Sequence, residues 1–191
     1  MHRLTVPAAA TLILLATACD NPSAPPDRLP PSRIAPTPPP MMAAARGGQD
    51  IRLINVKDAC DPVTFANVGC LRQGGVTFDH FLAKLGKKGI VGAWRFAPPK
   101  INARVGQTLR AVNRGGEVHT FTEVEEFGGG IVPILNDLSG NPLPAPECLA
   151  LEDEDFIAPG ATYEDEVEDA GVEHYQCCIH PWMRTTVTAR E

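Results

Sequence analysis

The chain carries no block of like basic charges and no interleaving of aromatic with basic residues, and its net charge is −6. That excludes a nucleic-acid ligand, which needs a basic face to meet phosphates. It has no internal repeat, so stacked-repeat architectures are set aside. Its N-terminal apolar run, over 8–15, is far shorter than the ~20 residues that cross ~30 Å of hydrocarbon. At 191 residues, there is room for one modest domain plus targeting and linker segments.

What is there begins with an export signal. His2 and Arg3 give a short basic start, the apolar run follows, and small residues close the segment; residues 1–18 read as a signal peptide. The stretch Leu15-Ala16-Thr17-Ala18-Cys19 resembles a bacterial lipobox, which implies acylation of Cys19 and tethering to a membrane on the periplasmic or cell-surface side. Ala16 departs from the larger aliphatic usual at that position, so ordinary cleavage near Ala18 and a soluble exported product stand as the alternative. Residues 21–40, NPSAPPDRLPPSRIAPTPPP, are proline-dense and poor in core-building side chains. With a polyproline rise of ~3.1 Å per residue they make residues 19–49 an extended tether.

From residue 50 the composition turns to short β-rich runs bounded by Gly, Pro and Asn. Candidate strands fall at 92–96, 101–105, 108–113, 120–124, 162–167, 174–178 and 185–189, which predicts an all-β antiparallel sandwich or barrel. Only 78–85, FDHFLAKL, has helical spacing, with Phe78, Phe81, Leu82 and Leu85 on one face, so one short surface helix is expected. The segment 133–159 lacks a clear period and reads as a long loop, functional or stapled down. Residues 50–91 are expected to be an N-terminal extension packed on a core domain spanning 92–191, with an added strand, a packed helix and a partner surface all open for 51–91.

Chemistry concentrates near the C-terminus in Tyr175-Gln176-Cys177-Cys178-Ile179-His180-Pro181-Trp182-Met183. Its Cys-x2-His-x2-Met pattern can converge a thiolate, an imidazole and a thioether on one point. Thiolate, imidazoles and a weak axial thioether suit a copper ion cycling between Cu(I) and Cu(II). The set needs a second histidine, and His119, in the turn Asn113-Arg114-Gly115-Gly116-Glu117-Val118-His119, supplies one from a separate strand.

Over roughly 92–190 this arrangement resembles the cupredoxin family, which includes plastocyanin and amicyanin: one upstream histidine after an Asn-Gly-type turn, then Cys, His and Met on the last loop between strands. The resemblance implies a Greek-key sandwich, with His119, Cys177 and His180 in a trigonal plane and Met183 as the long axial ligand. Glu117 and Glu123 are the carboxylates near enough in sequence to compete for the axial place. His80 and His174 are left as surface or structural histidines, His174 by strand alternation away from Cys177. The resemblance also makes His180, Pro181 and Trp182 the surface that meets redox partners, although Trp182 could equally be core.

The chain has six cysteines, and acylated Cys19 leaves five, an odd set that in an oxidising compartment reserves one thiolate for metal. Cys177 has the two-residue spacing to His180 that the family loop shows, whereas Cys178 has one. The other four allow three connectivities; Cys60 with Cys70 and Cys148 with Cys178 are favoured, against a vicinal Cys177 to Cys178 bridge that would abolish the thiolate.

The function expected is one-electron transfer by a monomeric copper protein, with a cytochrome c or a membrane oxidase or reductase as partner. Nothing resembles an open substrate position beside a general base, so no catalyst is expected. A module that buffers or delivers copper would use the same ligands, and a metal-free domain with structural cysteines is the third reading. Acidic runs at 152–155 and 164–169 form a solvated face that could steer a basic partner.

Overall fold

The computed structural model describes residues 50–72 and 74–191. The signal peptide expected over 1–18, the lipid anchor expected at Cys19 and the tether expected through 49 lie outside the described residues.

Two four-stranded sheets stack as a β-sandwich. One sheet holds β1 (Arg52–Lys57), β2 (Arg95–Ala97), β4 (Thr108–Asn113) and β6 (Thr162–Glu166) in the order β2-β1-β4-β6. The other holds β3 (Lys100–Arg104), β5 (Thr122–Val124), β7 (Gly171–Gln176) and β8 (Arg184–Arg190) in the order β3-β8-β7-β5. Alternation along the strands selects what faces inward. Ile54 and Val56 of β1, Ile101 and Ala103 of β3, and Val187 and Ala189 of β8 turn into one core with Phe96, Leu109, Ala111 and Tyr175. Each fully buried aliphatic side chain there contributes about 1.5–3 kcal/mol by leaving water.

The sandwich agrees with the expectation, but the sheets are mixed. β1 runs parallel to β4, and β3 runs parallel to β8. β1 lies between β2 and β4, so residues 52–57 are an inner strand of the sandwich itself and not an extension packed on it. A second helix also accompanies the one expected.

Helix α1 (Phe78–Lys88) starts where Thr77 accepts a hydrogen bond from the His80 amide and stops at Gly89, which takes φ +68°. Asp79 in the first turn and Lys87 and Lys88 in the last complement the helix dipole. It buries Phe81 and Leu85. Helix α2 (Pro133–Ser139) occupies the start of the segment expected to be a loop. Seven residues make two turns, too few for Ile134, Leu135 and Leu138 to declare a period. Proline at its first turn and Gly140 after its last residue set its limits. The segment is stapled at two points: Asn136 exchanges hydrogen bonds of 2.7 and 2.8 Å with the backbone of Gly130, and Cys148 is bridged to Cys178.

Candidate metal centre

The site forms where the second sheet ends. β7 stops at Gln176 because the next amide, that of Cys177, turns to the Met183 carbonyl at 3.0 Å, while the Met183 amide bonds the His180 carbonyl at 2.9 Å. These two bonds fold 177–183 into a tight loop. His119 arrives from the other side. It exchanges backbone hydrogen bonds with Ile157 at 3.2 and 2.7 Å, which delays the start of β5 to Thr122.

Cys177 Sγ lies 3.7 Å from His119 Nδ1 and 3.8 Å from His180 Nδ1. The three donor atoms sit within 4.8 Å of one another. Cys177, His119 and Met183 are 0% exposed and His180 is 3% exposed. The Thr120 amide points at the sulfur from 3.5 Å, an orientation that favours a thiolate. Burial alone would push the Cys177 thiol up. The hydrogen bonds and positive charge of His119 and His180 outweigh it and hold the thiol well below its ordinary value.

Cys177 is the free cysteine among the described residues, with Cys60 joined to Cys70 and Cys148 to Cys178. Adjacent positions at the end of a strand point opposite ways. Cys177 turns into the main core, and Cys178 into a separate small cluster with Val124, Ala145 and Cys148. Two disulfides are the chemistry of an oxidising, extracytoplasmic compartment.

Both histidines present Nδ1 to the sulfur and Nε2 to a carboxylate. His119 Nε2 is 2.9 Å from Asp58 Oδ2, in a pair whose side chains are 0% and 1% exposed. The Asp58 carboxylate also accepts the amides of Gly116 at 2.8 Å and Glu117 at 3.0 Å. Burial opposes its charge, but His119 and those two amides lower its pKa to about 2. Burial likewise opposes charge on His119, yet Asp58 and Cys177 raise its pKa to about 9. An Nε2–H held by Asp58 leaves the Nδ1 lone pair for a metal, the usual way an outer carboxylate fixes a ligand's tautomer. The carboxylate explains Gly115, and the adjacent Cys60 sulfur explains Gly116. A Cβ on Gly115 would lie 1.9 Å from Asp58 Oδ2, and one on Gly116 would lie 2.8 Å from Cys60 Sγ.

Behind His180, Glu117 Oε2 lies 3.8 Å from Nε2 and accepts the indole N–H of Trp94 at 2.5 Å. Burial raises the Glu117 pKa, more than His180 and Trp94 lower it. Glu117 therefore stands on the outer side of the imidazole and not among the inward donors, and Glu123 is exposed on β5. Neither belongs to the converging cluster of His119, Cys177 and His180. His80 is exposed on α1, and His174 packs on Phe127 with its ring 3.3 Å from the Glu125 carbonyl.

α1 covers the loop. Phe81 lies 6.4 Å from the His180 ring and 5.9 Å from Trp182, centroid to centroid. Pro181 is buried and Trp182 half-buried against Phe81, so the loop exposes only part of the face expected to meet partners. Asp58, Trp94 and α1 all come from residues N-terminal to the upstream histidine; the spacing of 78–85 announces the helix, but no local pattern announces the roles of Asp58 and Trp94. Their only trace is an aspartate closing an alternating strand and a Gly-Gly pair with no turn type to demand it.

The donor set fits a thiolate-binding, imidazole-binding ion: two imidazole Nδ1 atoms, which would give up any proton to the ion, and one lowered thiol converge in a dry site, with a buried methionine on the same loop. No protein-family model and no curated protein matches the chain. Similar solved structures include a novel purple cupredoxin from Nitrosopumilus maritimus, 17% identical, TM-score 0.42, covering 72% of this chain and 98% of that one. Two copper(I) forms of amicyanin variants also match, 21% and 22% identical, each with TM-score 0.34 and covering 50% of this chain and 73% of theirs. The sandwich and the site stand on their own geometry and not on these likenesses.

Proposed function

We propose that the chain is an exported mononuclear type 1 copper protein that carries single electrons, with His119, Cys177 and His180 as in-plane ligands and Met183 as the axial one. The observation that carries this reading is the convergence of two Nδ1 atoms and the free thiol of Cys177 within 4.8 Å in a dry pocket. Bound there, a copper ion supplies one-electron chemistry between Cu(I) and Cu(II). The chain's own residues do the rest. Asp58 fixes the His119 tautomer, the Thr120 amide favours the thiolate, and the disulfides keep the other four described cysteines from competing. A module that delivers copper needs ligands an acceptor can reach, and the burial of all four favours retention and therefore a carrier.

The partner belongs to the same proposal: a redox protein with a basic face, such as a cytochrome c or a membrane oxidase or reductase. Supporting it is a concave surface bearing Glu123, Asp165, Glu166, Glu168, Asp169 and Glu173. Such a face speeds association in a way that salt removes over ~8–10 Å of screening. A monomer tethered by acylated Cys19 on the periplasmic or cell-surface side completes the reading.

The test is the visible absorption and EPR spectrum of the full-length chain after Cu(II) addition, beside Cys177→Ser. An intense thiolate-to-copper band that vanishes in the variant is expected. A colourless wild-type protein with Cys177 reduced would overturn the copper reading.

A further inference from the structure

α1, α2 and the segment around Phe65 line a half-open cavity of about 380 Å³ beside His180. Small-molecule pockets run from about 300 to 1,000 Å³. Its walls are chiefly Phe65, Phe81, Leu82, Leu135 and Ile179, and two polar side chains interrupt them, Glu117 and His180. Glu117 is 7% exposed. One of its oxygens, Oε2, takes the Trp94 indole N–H, and no donor among the described residues reaches Oε1. No hydroxyl, amide, lysine or arginine side chain lines the cavity among those residues. The cavity is thus aromatic and aliphatic, with one carboxylate acceptor, Glu117, among its lining residues.

This chemistry selects an occupant. A wholly apolar molecule would leave the Glu117 carboxylate without a partner, and a carbonyl compound would set lone pair against lone pair. A molecule with one hydroxyl on a flat ring satisfies both parts: the ring meets Phe65 and Phe81 in the edge and face contacts aromatics favour, and the O–H donates to a carboxylate. Size also argues against a protein segment. Pro181 is buried, Phe81 covers Trp182, and His180 is 3% exposed, so little of the ligand loop is open to a docked surface.

We infer that this cavity binds a small planar phenol, its hydroxyl donating to Glu117 and its ring against the edge of His180. Binding rests on the cavity alone. The test below uses copper-free protein, so that this inference and the electron-carrier reading above can fail separately.

The probe is p-cresol, titrated into the full-length copper-free chain, with 4-methylanisole as the isostere that lacks the donor. The readout is the Trp94 indole N–H by ¹⁵N NMR, told from the second tryptophan of the chain with Trp182→Phe. A saturable shift of Trp94 is expected, with p-cresol binding about tenfold or more tighter than the ether, as befits a hydrogen bond to a charged group. Leu135→Trp, which fills the chamber, abolishes binding, and Glu117→Gln erases the preference for phenol over ether without closing the chamber. No saturation, equal binding of the two probes, or a preference that survives Glu117→Gln would each overturn the inference.

Discussion

Asp58 Oδ2 and His119 Nε2 meet at 2.9 Å across 61 residues of chain. The contact makes the N-terminal strand part of the metal centre, because Asp58 is the residue that follows β1 and reaches the histidine only when β1 has paired with β4. Asp58→Asn removes the anionic acceptor and keeps the shape. Copper affinity is expected to fall about 10–100-fold, the usual effect of losing an outer partner of a ligand. Competition against a copper chelator measures it, with circular dichroism of the copper-free protein showing that the fold is intact. Unchanged affinity in a folded variant would remove Asp58 from the site.

Gly115→Ala tests the same contact from the other side. Its Cβ would lie 1.9 Å from Asp58 Oδ2 and 2.9 Å from the Asp58 amide, whereas a Cβ on Gly92 meets nothing within 4 Å. Gly115→Ala should therefore lose copper binding and stability together, while Gly92→Ala stays within about 0.5 kcal/mol of the parent. Urea unfolding of both variants, with copper titration, separates the two outcomes.

The two disulfides should contribute unequally. Cys148 and Cys178 close 30 residues and Cys60 and Cys70 close 10. On the loop-entropy scale, removing each pair as a double Ala variant costs about 3–4 and about 2–3 kcal/mol, respectively. Urea midpoints under non-reducing conditions give the order, and the reverse order would show that the short loop carries more than chain entropy.

The acidic face has a pH signature. Glu123 and Glu173 are raised above 4.5, by burial first and then by neighbouring carboxylates. A raised folded value means the protonated form favours the folded state. Their contribution is fully present below about 4.5, the unfolded value, and is lost as pH rises through the raised values. The variant Glu123→Gln/Glu173→Gln should therefore exceed the wild type in stability at pH 7 and match it near pH 4.5. A gap of the same size at both pH values, read from urea midpoints, would contradict this.

Sequence alone reached the parts of this site that are local. Cys177, His180 and Met183 stand within one loop, and the short strands carry their two-residue alternation openly, as the match of β4 to 108–113 shows. It missed β1, although Arg52–Lys57 alternates clearly in the folded chain, with Ile54 and Val56 inward. Six residues flanked by a proline tether on one side and a disulfide loop on the other give no hint of which sheet they join. It missed α2 because two turns cannot establish a period. It placed Pro181 and Trp182 at the surface because nothing in a loop's own residues tells that a helix nearly 100 positions upstream lies over it, as Phe81 of α1 does.

One consequence of the topology concerns synthesis. His119 meets Cys177 across 58 residues, and Asp58 waits for His119 across 61; β8, which closes the ligand loop, is the last strand in chain order among the described residues. Such distant pairings form late, because loop closure must precede the contacts that reward it. A nascent or truncated chain therefore holds loose thiols and imidazoles but no assembled centre. On the copper reading, capture of the ion would be coupled to pairing of the last strand, and a chain cut short of β8 would carry no competent site.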